Sequence, residues 1–202
     1  MLKNKKLIVT GAASGIGKEI VKQCLQEGAS VIACDINDHS LYDLKRSTDD
    51  CYVLHTYQLD VSNHEEVVKF FVYVEAEHAD VGGLVNNAGI YLAKNILDYK
   101  VDEIDKVLDI NVKGFIYLSQ MFGKKLFQSQ RKEVIVNMSS VSGMEGIGRK
   151  LKASKVKKQL KLTCYKIVSL QEVISESIKV KAGNHELSMF FPLFIILYLS
   201  YI

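Results

Sequence analysis

Proline is almost missing from this chain: Pro192 is the only one in 202 residues. With no internal repeat and no low-complexity stretch, that leaves no proline-rich linker to separate domains. Cysteine is sparse too. Cys24, Cys34, Cys51 and Cys164 include no C-x-x-C pair and no metal-ligand spacing. A disulfide framework and a zinc site of that kind are therefore excluded, and scattered single thiols fit a reducing compartment. The five histidines lie apart and suggest no metal site. No apolar leader is expected either, since "MLKNKKLIVTG" runs straight into a strand pattern. The protein is expected to be cytoplasmic. The longest apolar run, "MFFPLFIILYLSYI" at 189–202, has 14 residues. As a helix it reaches only about 21 Å, short of the ~30 Å hydrocarbon core, so a membrane is not an expected partner. An interfacial anchor, a partner-binding strand and an accidental sequence all remain open for it.

Charge is balanced in total, at net +3, but not in place. Residues 1–148 carry 16 basic and 20 acidic side chains, whereas 149–202 carry 10 and 3. A sign change at one point in a chain of single-domain length asks for a cause. The basic side begins with the lysine run 149–161, "RKLKASKVKKQLK", which has no interleaved aromatics. It reads as a solvated face, and no nucleic-acid partner is expected.

Before that point two textures alternate. Short β-branched runs occur at 6–10, 30–35, 51–57, 82–87 and 133–139. Longer stretches of helical spacing lie between them. The first is "GIGKEIVKQCLQEG". The second is "HEEVVKFFVYVEAEH", opened by Asn63 as N-cap. The third is one long helix from about Val101 to Gln128. Apolar strands alternating with helices predict an α/β fold with a doubly wound parallel sheet.

"TGAASGIG" (10–17) follows the first strand and opens the first helix. Gly11 lets the chain turn sharply out of the strand. Gly15 lets backbone approach a diphosphate, and Gly17 lets the helix pack on the sheet. The diphosphate would sit at the helix N-terminus, where N–H groups and the dipole favour negative charge. Ser14 and Ile16 belong to the same turn and count among the cofactor-binding residues. The plain alternative is a glycine turn with no ligand; the strand before and the helix after weigh against it. So does Asp35, which ends the second strand in "VIACDIN". A carboxylate there accepts from adenosine ribose hydroxyls and repels a 2′-phosphate, and no arginine stands nearby to offset it. The expected cofactor is NAD rather than NADP.

These motifs resemble the short-chain dehydrogenase/reductases. Thr10, Gly11, Gly15 and Gly17 are similar to that family's T-G-x-x-x-G-x-G turn. "LDV" (59–61) is similar to its segment after the third strand, which implies Asp60 and Val61 near the adenine. "NNAG" (86–89) implies Asn87, Ala88 and Gly89 on the adenosine side. "INVKG" (110–114) is similar to the segment of the active-site asparagine, here Asn111, with Ile110 on the cofactor side. "IVNMSSVSG" (135–143) implies Ser140 as the catalytic serine. The resemblance covers residues 1–148 and implies a Rossmann-type domain there. It also implies NAD-linked oxidoreduction of a secondary alcohol or ketone, a small-molecule substrate, and a homo-oligomer. In such a site serine binds the substrate oxygen and tyrosine transfers the proton. Lysine lowers the tyrosine pKa and holds the nicotinamide ribose, while the asparagine keeps a water chain to it.

The departures lie in 149–202, read as a divergent or incomplete C-terminal segment. The family's Tyr-x-x-x-Lys is met by "LKASK" (151–155), with Leu151 in the tyrosine's place and Lys155 in the lysine's. The gap from Ser140 is about two residues short of the family's spacing. Tyr165 is no substitute, because Ser169 stands four residues on. Lys155 is either the active-site lysine or one solvated lysine among many. Leucine donates no proton, so catalysis is expected to be impaired. Three accounts of this segment stand open: an enzyme with an unusual end, a non-catalytic NAD-binding protein, and a truncated or frame-shifted product whose reading frame changes near codon 148.

Overall fold

The computed structural model describes residues 2–93, 96–129 and 134–139. All its elements belong to one compact unit that ends at Asn137. The strands are β1 (Lys6–Thr10), β2 (Ser30–Asp35), β3 (Leu54–Gln58), β4 (Gly83–Asn86) and β5 (Val134–Asn137). The helices are α1 (Gly15–Gln26), α2 (Asp38–Arg46), α3 (His64–Glu77), α4 (Val101–Leu108) and α5 (Phe115–Ser129). The five strands form one parallel sheet in the order β3-β2-β1-β4-β5. Connections run outward from β1 in one direction and then return to its other side. The change of direction falls between β1 and β4, where an open α/β sheet leaves a crevice at its C-terminal edge.

Both faces of the sheet are covered, which is why its strands are apolar on both sides. Ile8, Ile32, Cys34 and Leu84 join Val67, Phe70, Phe71 and Val74 of α3 and Leu118 and Phe122 of α5 in one buried core. Alternation along the strands turns Val9, Val31 and Val85 the other way. Val21 and Leu25 of α1 and Leu41 and Leu44 of α2 are buried as well. Burial of the Cys34 thiol, with Asp35 beside it, pushes its pKa far above the ordinary range, so it is packing rather than chemistry. Among the described residues one lysine is buried, Lys125 on α5, and it donates to the carbonyls of Ala79 and Val81, both at 3.0 Å. It thereby ties α5 to the loop before β4.

Three elements differ from expectation. The third strand begins at Leu54, because Tyr52 N bonds Asp49 O in a turn and Cys51–Val53 are exposed. Helix α2 lies in a stretch with no predicted element. Its signals were an N-cap, Asn37, whose side chain accepts from Ser40 N at 3.0 Å, and basic residues in the last turn. The long helix is broken into α4, a π-helical turn at Asp109–Gly114, and α5. Gly114 in that turn passes so close to Val61 that a Cβ would stand 2.8 Å from Val61 Cγ2. Any side chain there would drive the helix off the β3–α3 loop. α4 itself has no buried residue.

Candidate active site

The C-terminal ends of β1, β2 and β4 bring most of the expected residues together. After β1 the chain turns through Gly11 at φ +62° and Gly15 at φ +50°, the left-handed region that suits glycine. The glycines do different work. A Cβ at Gly11 would stand 2.8 Å from Ala88 Cα, and one at Gly17 would overlap the carbonyl oxygen of Gly11. Both serve internal packing. A Cβ at Gly15 would meet nothing within 4 Å. That is the point at which backbone faces open space. Ser14 is the N-cap of α1, yet its side chain makes no capping bond. The first N–H groups of α1 are not capped by it, which suits an anion. Ser14, Gly15 and Ile16 are all exposed.

Asp35 closes this corner. Its Oδ2 accepts from Ala13 N at 3.0 Å and its Oδ1 from Asn37 N at 3.0 Å. Asp60 shapes the next loop. Its Oδ1 accepts from Ser62 N at 2.9 Å and from Ser62 Oγ at 2.6 Å, and its own N–H donates to Glu66 Oε2. Val61 is buried against Gly114.

The segment after β4 is held from two sides. Buried Thr10 Oγ1 accepts from Asn87 N at 3.1 Å and Ala88 N at 3.2 Å. Asn87 Nδ2 donates to the carbonyls of Thr10 and Gly11 at 3.0 and 3.1 Å. Both amide hydrogens of Asn87 are thus used on the glycine turn, so this side chain builds the cradle's wall. On the other side Asn111, in the π-helical turn, grips the backbone of one residue twice. Its Oδ1 accepts from Ile90 N at 2.9 Å and its Nδ2 donates to Ile90 O at 2.8 Å. Gly89 is exposed beneath it, and a Cβ there would come 3.3 Å from Asn111 Oδ1. Ile110 packs against the core.

Three residues without an assigned role join the same edge. Asn86 Nδ2 donates to Ser119 Oγ at 3.0 Å and to Asn137 Oδ1 at 2.9 Å. This links β4, α5 and the end of β5. Asn86 Oδ1 is the one buried side-chain polar atom without a hydrogen-bond partner among the described residues. The signal for these was the first asparagine of "NNAG" and the asparagine of "IVN", both read only as neighbours of other residues. Ser140, Leu151 and Lys155 lie outside the described residues, as do 149–202 altogether. Among the described residues no group of three or more His, Cys, Asp or Glu could hold a metal. No described helix is long and apolar enough to cross a membrane.

A family model described as short chain dehydrogenase matches residues 5–159. The chain belongs to the short-chain dehydrogenase family. The match runs past Gly148 and takes in Leu151 and Lys155. An uncharacterized oxidoreductase of Staphylococcus aureus is 34% identical over 147 residues, covering 72% of this chain and 62% of the relative. Sorbitol-6-phosphate 2-dehydrogenase of Klebsiella pneumoniae is 36% identical over 154 residues, covering 72% of this chain and 55% of that enzyme. The chain therefore spans less than two thirds of either family member. Among solved structures, 4-hydroxyisoleucine dehydrogenase complexed with NADH superposes with a TM-score of 0.73 at 29% identity. It covers 89% of this chain and 70% of its own. These matches place the chain among short-chain dehydrogenase oxidoreductases, and the structural relative with NADH carries its cofactor in the same fold.

Proposed function

We propose that this chain is an NAD-binding, cytoplasmic short-chain dehydrogenase whose catalytic step is impaired. The observation that carries the cofactor reading is Asp35. Its carboxylate stands at the end of β2, joined at 3.0 Å to the glycine turn, where it can accept from ribose hydroxyls and would repel a 2′-phosphate. The open space at Gly15 and the uncapped start of α1 fit a diphosphate. Asp60 and Val61 are assigned to the adenine, and Asn87, Ala88 and Gly89 to the adenosine side. The NADH complex of a structural relative supports the same choice.

Bound NAD supplies the hydride acceptor. The chain's own part is to orient it and to manage the proton at the substrate oxygen. Ser140 is assigned to bind that oxygen, Lys155 to hold the nicotinamide ribose, and Asn111 to brace the wall of the site through Ile90. Leu151 stands where the proton-transferring tyrosine is expected. Without a positioned acid/base the rate falls by about 10²–10⁴-fold. The substrate class is a secondary alcohol or ketone, in keeping with the sorbitol-6-phosphate 2-dehydrogenase relative.

Two measurements on the purified chain test this. Titration with NAD and NADP is expected to show binding of NAD with NADP much weaker. Turnover of secondary alcohols or ketones with NAD is expected to be slow or undetectable. A preference for NADP, or turnover at rates ordinary for enzymes, would sink the reading.

A further inference from the structure

Asp35 has both carboxylate oxygens engaged by main-chain N–H groups, and the two donors belong to different loops. Ala13 lies in the glycine turn, and Asn37 is the residue that caps α2. Ala13 is buried, so its N–H has no ready access to water if Asp35 is removed. Its neighbour Ala12 donates to Cys34 O at 3.0 Å. The turn is thus stitched to the end of β2 at two successive residues. One stitch is main chain to main chain; the other runs through the Asp35 side chain.

We infer that Asp35 is a positioning residue for the glycine turn, in addition to the ribose recognition assigned to it above, on which this rests. Each carboxylate oxygen has two lone pairs, so it can hold its N–H and still accept a ribose hydroxyl. The two duties are coupled in one side chain. Removing the carboxylate to admit a 2′-phosphate also removes the acceptor of a buried N–H in the diphosphate turn. One substitution at this position therefore loses NAD without gaining NADP.

The test is amide hydrogen exchange on the ligand-free full chain, comparing the wild type with Asp35→Ala and Asp35→Asn. Amides of Val9 and Ile32, in the middle of the sheet, report whether the fold is intact. The Ala13 amide is expected to exchange about 10-fold faster or more in Asp35→Ala while the sheet amides hold. Asp35→Asn keeps one oxygen acceptor and is expected to stay within a few-fold of wild type. Should Asp35→Ala lose the sheet itself, Asp35→Ser takes its place with the same readout. Ala13 exchange that is unchanged on loss of the carboxylate overturns the proposal. So does firm NADP binding by Asp35→Ala with Ala13 still protected. Because the exchange needs no ligand, a chain that failed to bind NAD would defeat the cofactor reading and leave this test standing.

Discussion

Thr10 and Asn87 hold one another in a closed pair. The Thr10 hydroxyl accepts from Asn87 N at 3.1 Å, and Asn87 Nδ2 donates back to Thr10 O at 3.0 Å. The same hydroxyl also takes Ala88 N and donates to Val85 O. Thr10→Val keeps the shape and removes the oxygen, leaving the N–H groups of Asn87 and Ala88 without their acceptor. At ~1–3 kcal/mol for each unsatisfied buried donor, a loss of about 2–4 kcal/mol is expected. Thr10→Ser is expected to cost about 1 kcal/mol or less. Urea unfolding of the two variants checks this, and equal stability of Thr10→Val and wild type would contradict it.

Gly15 and Gly17 should separate binding from stability. Gly17→Ala places a methyl on the Gly11 carbonyl, so the helix must shift away from the sheet, and a loss of several kcal/mol or failure to fold is expected. Gly15→Ala meets no neighbour but holds alanine at φ +50°, a cost of roughly 1–2 kcal/mol. Its methyl would sit in the space assigned to the diphosphate. NAD affinity is expected to fall more than stability does. Paired melting and NAD titration distinguish the two glycines.

The opposite edge of the sheet sets a pH dependence. His78 is 5% exposed, with Nε2 2.8 Å from the Tyr73 hydroxyl and Nδ1 3.5 Å from Lys6 Nζ. The ammonium only donates, so Nδ1 is the unprotonated nitrogen. Burial, and then Lys6, hold the His78 pKa below the ordinary imidazole value, while Asp80 and Glu77 act the other way. His55, its ring 4.5 Å away, is lowered by burial and by His78, Lys6 and Lys45, against Asp80. The unfolded chain therefore takes up protons that the folded chain refuses. This contribution is full above the ordinary value of about 6.5 and is lost as the pH falls through it towards the folded value. Melting temperatures are expected to drop between about pH 7.5 and 5.5, and His78→Gln should flatten that slope. A wild-type melting temperature constant across the range would refute the assignment.

Asn111→Ala releases both polar groups of Ile90. The site is exposed, so water replaces the lost partners and only about 1–2 kcal/mol of global stability should go. The local effect is expected to be larger. The Ile90 amide should exchange faster while sheet amides do not change. Asn111→Asp, which keeps the acceptor, should protect Ile90 N–H better than Asn111→Ala.

Much of this was legible from the residues in order. Strand runs rich in Val and Ile, glycines at 11, 15 and 17, and Asp35 at a strand end are local patterns, and local patterns survive in one dimension. The helix at Asp38–Arg46 was harder to read. Its two buried leucines, Leu41 and Leu44, make too short a period to stand out, and its cap lies in a polar stretch. The π-helical turn could not be read at all. It depends on Gly114 meeting Val61 and on Asn111 meeting Ile90, contacts between residues far apart in the chain.

By itself the sequence determined the layered α/β plan, the place of the phosphate turn and the absence of tyrosine at position 151. These follow from side-chain period, glycine geometry and residue identity, none of which needs a neighbour in space. Tertiary structure decided what the polar residues do with their hydrogen bonds. Thr10, Asp35, Asn87 and Asn111 read alike as cofactor or catalytic residues. In the fold each spends donors or acceptors on backbone brought to it by the crossing of β1, β2 and β4. A buried N–H or carbonyl must find a partner, and only the folded chain settles which side chain is near enough to supply it.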